Sequence, residues 1–299
     1  MKWLLALLTG LSLLITSGCS SINSKQVQWY YPPMARPLQP TIQQEVKIVR
    51  LSQLLQREKL SDEVRAKLFY ERGNAYDMVG LRNLARIDFE QSLQMNPAQP
   101  DVFNILGVYY TEIGQYDSAY DAFDSTLEME PDNIYALRNQ AVALYYGQRP
   151  HLALELVDQI DKVQAVDPFN ALWRYFIESE LAPTDAQKTL SETYKHRDEK
   201  QWGWLLVAMV LEKTPDKEVF KQILAGTKDN TVLARRLTEA YFYLGKRYQL
   251  QGKYADAVSL YKLAISFNVY EYVEHRYAFL ELEKIYRILK EEKEKNKSI

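Results

Sequence analysis

The sequence has little of several residue types on which common folds and binding sites depend. Its 299 residues include one cysteine, which excludes an intramolecular disulfide framework. Three histidines leave little material for a transition-metal site, and 37 basic against 39 acidic residues leave no cationic excess to bind a phosphate backbone. Eleven glycines and eleven prolines are few for a fold built on many tight turns. These scarcities favour a helical protein and argue against nucleic acid as a partner.

Sequence signatures of enzymes are also missing. The chain contains no P-loop, no dinucleotide-binding fingerprint, no metalloprotease helix motif and no nucleophile elbow. Glu274-His275 lacks the second helical histidine of a zinc site, so we interpret His275 as an ordinary surface histidine. We therefore predict that the protein is not an enzyme and binds no metal or cofactor.

What the sequence does contain begins with an apolar segment at its N-terminus. An apolar run from Trp3 to Ile15 follows Lys2, and small residues lead to Cys19. The run is shorter than the roughly 20 residues of a membrane-spanning helix. It predicts a signal peptide over residues 1–18. The small residues before the cysteine resemble the bacterial lipobox, whose cysteine becomes acylated. The alternative is an ordinary secretory peptide followed by an incidental free cysteine.

Cys19 is the predicted lipidation site, and more than one acyl chain on it would anchor the protein durably. The next residue is Ser20, where Gram-negative lipoproteins retained in the inner membrane tend to have Asp. We therefore expect a location on the outer membrane, facing the periplasm. Residues 19–40 include four prolines and are predicted to form a flexible tether behind the lipid.

A repeat of 34 residues follows. Residues 66–99 and 100–133 align without a gap, and the spacing resembles the tetratricopeptide repeat, a helix-turn-helix unit of that length. Gly73 and Gly107 are expected where the two helices of one unit approach closely, with Ala85 and Ala119 as the small residues facing them. Pro97 and Pro131 fall where proline would end the second helix. The identical pairs are Phe69/Phe103, Gly73/Gly107, Tyr76/Tyr110, Gly80/Gly114, Ala85/Ala119, Phe89/Phe123, Leu93/Leu127, Met95/Met129 and Pro97/Pro131.

Two further units extend the repeat, a degenerate one over 134–167 and a clear one over 238–271, with atypical helical pairs between them. Thr41 and Gln44 form a capping-box signal ahead of a first amphipathic helix, whose exposed apolar stripe is one candidate surface for a homodimer. We predict an all-α tetratricopeptide-repeat α-solenoid with capping helices over residues 41–294, ending in a charged tail at 295–299.

The concave groove of such a solenoid is the candidate binding surface. First-helix positions 2, 5, 9, 12 and 13 line it in this class of repeat, and their mixed polar and aromatic character suits an extended peptide or a partner's helix. The alternative is an empty, solvated groove with partners bound elsewhere. The residues predicted to line the groove are Lys67, Tyr70, Asn74, Asp77, Met78, Asp101, Asn104, Val108, Thr111, Glu112, Tyr135, Arg138, Val142, Tyr145 and Tyr146.

Several longer segments resemble the NlpI family of Gram-negative outer-membrane lipoproteins. Besides Cys19, these segments are residues 37–41 (PLQPT), 70–73 (YERG), 143–147 (ALYYG), 201–204 (QWGW) and 273–278 (VEHRYA). The resemblance implies a homodimeric, non-enzymatic adaptor that binds a periplasmic tail-specific protease and a peptidoglycan endopeptidase, promotes degradation of that endopeptidase, and scaffolds other cell-wall hydrolases. A structural lipoprotein of an outer-membrane assembly complex is the alternative function.

Overall fold

The computed structural model describes residues 32–297. This part of the chain contains helices and no strand. The helices are α1 (Ile42–Leu55), α2 (Asp62–Met78), α3 (Arg82–Met95), α4 (Pro100–Glu112), α5 (Tyr116–Met129), α6 (Ile134–Tyr146), α7 (Pro150–Val163), α8 (Pro168–Leu181), α9 (Pro183–Lys195), α10 (Trp204–Val210), α11 (Asp216–Ala225), α12 (Asn230–Leu250), α13 (Tyr254–Ser266) and α14 (Val273–Lys297). No helix in this range is both long and apolar enough to cross a bilayer.

Helical hairpins with tetratricopeptide-repeat geometry make up the solenoid. In three hairpins the first helix packs on the second through a glycine and an aromatic ring. A Cβ built on Gly107 would lie 2.5 Å from the Phe123 ring, and one on Gly73 would lie 2.7 Å from the Phe89 ring. The same contact joins α12 to α13, where a Cβ on Gly245 would lie 2.8 Å from Tyr261. The predicted role of glycine at the hairpin crossing is confirmed, and it rests on the absence of a side chain.

The turns of four hairpins contain a residue in the left-handed conformation. Gly80, Gly114 and Gly252 have φ of +79°, +73° and +73°, a conformation that costs other residues about 1 to 2 kcal/mol. In the degenerate repeat the equivalent position is Gln148, which keeps φ at +60°. The turn geometry is therefore retained where the consensus glycine has been lost.

Side-chain caps begin several helices. The capping box at Thr41 is confirmed. The backbone N–H of Gln44 donates to the Thr41 hydroxyl oxygen, and the backbone N–H of Thr41 donates to the side-chain oxygen Oε1 of Gln44 at 2.8 Å. Asp167 caps α8 by accepting from the backbone N–H groups of Phe169 and Asn170. Such caps satisfy N–H groups that the first helical turn leaves unpaired.

An N-terminal strap, residues 33–40, lies along the last repeat. Tyr241 donates its hydroxyl proton to the Pro33 carbonyl at 2.6 Å, and the Asn230 side chain exchanges hydrogen bonds with the Arg36 backbone. The Leu38 N–H donates to the Phe267 carbonyl at 2.9 Å. These bonds correct the prediction of a flexible tether over 19–40 for its last eight residues, which are bound to the body because the body supplies partners for their backbone. Residues 1–31, including the predicted signal peptide and Cys19, lie outside the described range.

The last helix also departs from prediction. The sequence predicts a helix that caps the end of the array, whereas α14 folds back and contacts first helices far from it in sequence. Tyr146 on α6 hydrogen-bonds Glu281, and Arg276 pairs with Asp77 on α2. The inner face, which we define as the surface formed by the first helices α2, α4, α6, α8 and α12, therefore carries a helix of its own chain. The reason is that α14 places charged and aromatic side chains, among them Arg276, Tyr277 and Glu281, in buried contacts.

Candidate functional site

The inner face is the predicted binding surface, and α14 holds it through a chain of ionic contacts. At the N-terminal end of α14, Arg276 donates to both carboxylate oxygens of Asp77, at 2.5 and 2.6 Å, and lies 3.4 Å from Glu112. Its side chain is 4% exposed. Both contacts with Asp77 come from the Nη2 nitrogen, and hydrogen bonds between two charged groups are among the stronger polar contacts in proteins. The first two repeats are thereby tied to the last helix.

A buried ion pair sits further along α14. The Lys246 ammonium lies 2.5 Å from Glu281, and the two side chains are 2% and 0% exposed. Glu281 also accepts from Tyr146 and from Gln249, each at 2.9 Å, while Lys246 donates to the Tyr145 hydroxyl at 2.7 Å. The carboxylate therefore has partners for both of its oxygens, which a charge removed from water requires.

Aromatic rings surround this pair. Lys246 Nζ lies 4.6 Å from the Tyr145 ring centroid and 5.0 Å from that of Phe176, both within cation-π range. Desolvation lowers the pKa of Lys246 despite the attraction of Glu281. At Glu281 the balance is reversed, because desolvation raises its pKa but Lys246 and Lys284 outweigh it, so the pKa lies below the usual range.

His275 contradicts its interpretation as a surface histidine. It is 2% exposed, and its Nδ1 accepts a hydrogen bond from the Arg82 guanidinium at 2.8 Å. Desolvation, followed by the positive charges of Arg82 and Arg276, lowers its pKa to about 3. The imidazole is consequently neutral, and it links α14 to the start of α3.

His275 should make the protein acid-sensitive. Between the ordinary histidine pKa and about 3, the unfolded chain binds a proton that the folded chain does not, so stability falls as pH falls. From pH 7 to pH 5 this group should remove about 2 kcal/mol from the free energy of unfolding. His275→Gln keeps an acceptor for Arg82 without titrating. Urea unfolding of both proteins at the two pH values should show that loss only in the wild type, and equal losses would contradict the assignment.

The structure divides the residues that were predicted to line the groove. Asp77, Glu112, Tyr145 and Tyr146 contact α14 or the groups that hold it. Val108, Thr111 and Val142 are buried in helix packing, because their side chains point between neighbouring helices. The expectation that these seven offer a free surface is therefore wrong. The remaining eight, exposed or half-buried, are Lys67, Tyr70, Asn74, Met78, Asp101, Asn104, Tyr135 and Arg138.

Seven of those eight form what we call the open strip: Lys67, Tyr70, Asn74, Asp101, Asn104, Tyr135 and Arg138. They occupy positions 2, 5 and 9 of their repeats, whereas α14 contacts residues at positions 12 and 13. Asn139 donates to Asn104 at 3.0 Å, and Arg138 pairs with Asp167. Tyr135 is 72% exposed. Fixed polar groups beside an exposed aromatic side chain suit recognition of a polypeptide.

Sequence reasoning missed Lys246, Glu281 and Arg276 as organisers of this face. The available signal was a charge inside an apolar stripe, since Glu281 falls between Tyr277 and Ile285 at helical spacing. Among residues 32–297, no group of three or more His, Cys, Asp or Glu side chains is arranged to hold a metal ion.

Comparisons with known proteins return helical-repeat structures. No protein-family profile matches the sequence. The chain is similar to a tetratricopeptide repeat protein from Parabacteroides merdae ATCC 43184, with 17% identity and a TM-score of 0.49 over 81% of this chain and 90% of that one. It is also similar to MamA, with 13% identity and a TM-score of 0.41 over 67% and 90%. YrrB, described as a TPR protein with an unusual peptide-binding site, is 14% identical with a TM-score of 0.40 over 75% and 95%. At these TM-scores, the assignment of the repeats rests on the hairpin geometry described above.

Proposed function

We propose that this protein is a membrane-anchored periplasmic adaptor. In this proposal it binds a tail-specific protease together with peptidoglycan hydrolases and promotes degradation of a cell-wall endopeptidase. The observation that carries the protein-binding part is the open strip, a fixed polar and aromatic surface that α14 leaves free. The identity of the partners rests on the resemblance of the longer segments to the NlpI family.

The open strip suits a partner's extended segment or helix. Lys67 and Asp101 supply exposed charges of opposite sign, and Tyr135 supplies an exposed ring. Tyrosine is enriched among residues that dominate binding energy, because it buries a large area at a small cost in conformational entropy. Since α14 is bound to the adjacent half of the inner face, the open strip is already ordered before a partner binds. Binding would therefore cost little conformational entropy in this protein.

Tethering would explain why an adaptor accelerates proteolysis without catalysing it. Acylation of Cys19 would confine the protein to the periplasmic face of the outer membrane, the location that Ser20 favours in lipoproteins. When protease and substrate are both bound to one scaffold, the encounter between them becomes effectively intramolecular.

A homodimer would double the number of sites. The exposed stripe Ile42, Val46 and Val49 on α1 is the proposed contact with the second copy, because an apolar stripe of this kind is costly to leave in water.

Tyr135→Ala tests the binding surface. We expect it to weaken capture of the protease or hydrolase by about tenfold or more, as loss of a dominant interface side chain does. The matched control is Tyr286→Ala, since Tyr286 is 68% exposed on α14 and lies outside the open strip. The measurement is affinity capture from envelope extract by the two variants and the wild type, quantified by mass spectrometry.

Equal capture by both variants would contradict the assignment of the open strip. Capture of outer-membrane assembly proteins in place of hydrolases would favour the alternative function.

The lipid anchor is tested by Cys19→Ser. This variant should move the protein from the membrane fraction to the soluble fraction, and retention in the membrane fraction would contradict the anchor.

A further inference from the structure

A cleft on the other side of the atypical helices lies outside the inner face. It is open, has a volume of about 370 Å³, and lies where the end of α9, the turn before α10, α11 and α12 meet. Its walls include Tyr194, Trp202, Trp204, Arg197 and Arg236. Volumes of this size are typical of sites for small molecules or short peptide ends. Trp202 and Trp204 are the two tryptophans of the segment 201–204, and the inner face makes no use of them.

Arg236 is the principal charge in this cleft. Its guanidinium carbon lies 5.3 Å from the Trp202 ring centroid, and its Nη1 donates to the Thr227 hydroxyl at 3.0 Å. No carboxylate oxygen of the described chain forms an ion pair with it. Its neighbour Arg235, in contrast, pairs with Glu271 at 2.8 Å. Arg236 therefore presents a fixed positive charge with donors to spare, because arginine does not lose its proton in proteins.

The acidic group nearest to Arg236 along the helix forms no ion pair with it within residues 32–297. Glu239 is 7% exposed, and desolvation, followed by the charge of Glu274, raises its pKa well above the usual range. Glu199 is occupied elsewhere, since it accepts from Arg197 at 2.7 Å. Arg197, which is paired with Glu199, has its guanidinium carbon 4.2 Å from the Tyr194 ring centroid, so Arg236 is the lining cation without a carboxylate partner among the described residues. The cleft has an excess of cationic donors over acceptors.

Trp204 supplies a second, independent observation. It is 4% exposed, and its indole N–H is buried with no acceptor in the described part of the chain. A buried donor without a partner costs about 1 to 3 kcal/mol. An occupant that brought an acceptor to this wall would remove that cost, whereas an apolar occupant would leave it in place.

We propose that the cleft binds a ligand carrying a free carboxylate and an apolar or planar body. The carboxylate oxygens would accept hydrogen bonds from Arg236 and from the Trp204 indole N–H, and the body would lie against Trp202 and Tyr194. Guanidinium groups suit this role because their planar fork matches a carboxylate. The free C-terminus of a peptide and a small aromatic acid present the same chemistry.

The test uses the detergent-solubilised full chain carrying ¹⁵N-labelled tryptophan. Its probes are N-acetylated leucyl-phenylalanine with a free carboxylate, the same dipeptide as the C-terminal amide, and phenylacetate. The indole resonance of Trp204 is identified by its loss in Trp204→Phe. We expect this resonance to shift saturably with the free-carboxylate dipeptide and to stay in place with the amide. If phenylacetate also shifts the resonance, small acids suffice as ligands. If the dipeptide shifts it and phenylacetate does not, the ligand is the C-terminal end of a peptide. Either result supports the proposal.

Arg236→Gln should weaken binding at least tenfold, and Arg236→Lys, which keeps the charge but not the fork, should weaken it less. The matched control Arg235→Gln should bind as the wild type, because Arg235 pairs with Glu271 outside the cleft. Equal binding of the amide, equal affinities of the Arg236→Gln and Arg235→Gln variants, or no shift with any probe at millimolar concentration would overturn the proposal.

Discussion

Lys246→Met is expected to lower the free energy of unfolding by about 3 to 5 kcal/mol, the cost of removing one partner from a buried ion pair. Methionine can fill the space of the lysine stem, so lost packing contributes little. The cost arises because Glu281, which is fully buried, loses its counter-ion at 2.5 Å and keeps the hydrogen bonds from Tyr146 and Gln249 and the attraction of Lys284. Urea unfolding followed by circular dichroism at pH 7 would measure it.

The double variant Lys246→Met with Glu281→Leu distinguishes the cost of an uncompensated charge from the cost of altered packing. Replacing both partners by apolar residues of similar size is often nearly neutral, so the double variant should recover most of the stability lost in the single one. In the wild type, the pKa of Glu281 is lowered, and its stabilising contribution is therefore lost as pH falls through that lowered pKa. A double variant as unstable as Lys246→Met would show that packing, and not the uncompensated charge, determines the loss.

Truncation after Tyr272 is expected to abolish the cooperative folded state. Removing α14 leaves Asp77 without Arg276 and Lys246 without Glu281. It also uncovers Tyr146 and Trp173, whose rings pack 5.3 and 6.2 Å from that of Tyr277. Buried charges without partners, together with exposed aromatic surface, are unfavourable in water. We expect loss of the near-ultraviolet circular dichroism signal and binding of a hydrophobic dye, as in a molten globule.

A shorter truncation provides the control. Residues 290–295 are all exposed, so a chain that stops after Leu289 keeps every contact of α14 with the inner face described above. Its thermal midpoint should lie within a few degrees of the wild type, since surface changes usually cost less than about 0.5 kcal/mol. If the chain ending at Tyr272 unfolded with the same midpoint and cooperativity, α14 would be a dispensable cap.

The hairpins were predictable from the sequence because their determinants are local. Gly107 and Phe123, or Gly73 and Phe89, recur at one spacing and meet within one repeat, so the period alone places them. Local chemistry likewise placed the cap at Thr41.

The position of α14 was not predictable in the same way. It depends on how five first helices curve around a common axis, and no short window of sequence encodes that curvature. Tyr145 and Tyr146 carry groove positions in the consensus, yet a helix more than 120 residues later in the chain buries them. The cleft beside Trp202 and Trp204 was missed for a related reason, since its charge comes from Arg236, on a different helix.

Contacts between the N-terminal and C-terminal parts of the body affect how the chain folds. An array in which each unit touches only its neighbours can begin folding anywhere and propagate. Here Arg82 pairs with His275 and the Tyr241 hydroxyl holds the Pro33 carbonyl, contacts that join the two ends of the body. Because such long-range contacts slow folding, the rate-limiting step should be the docking of α14, which has 25 residues. Until α14 has been synthesised, the aromatic inner face is uncovered, and exposed apolar surface of this kind favours aggregation.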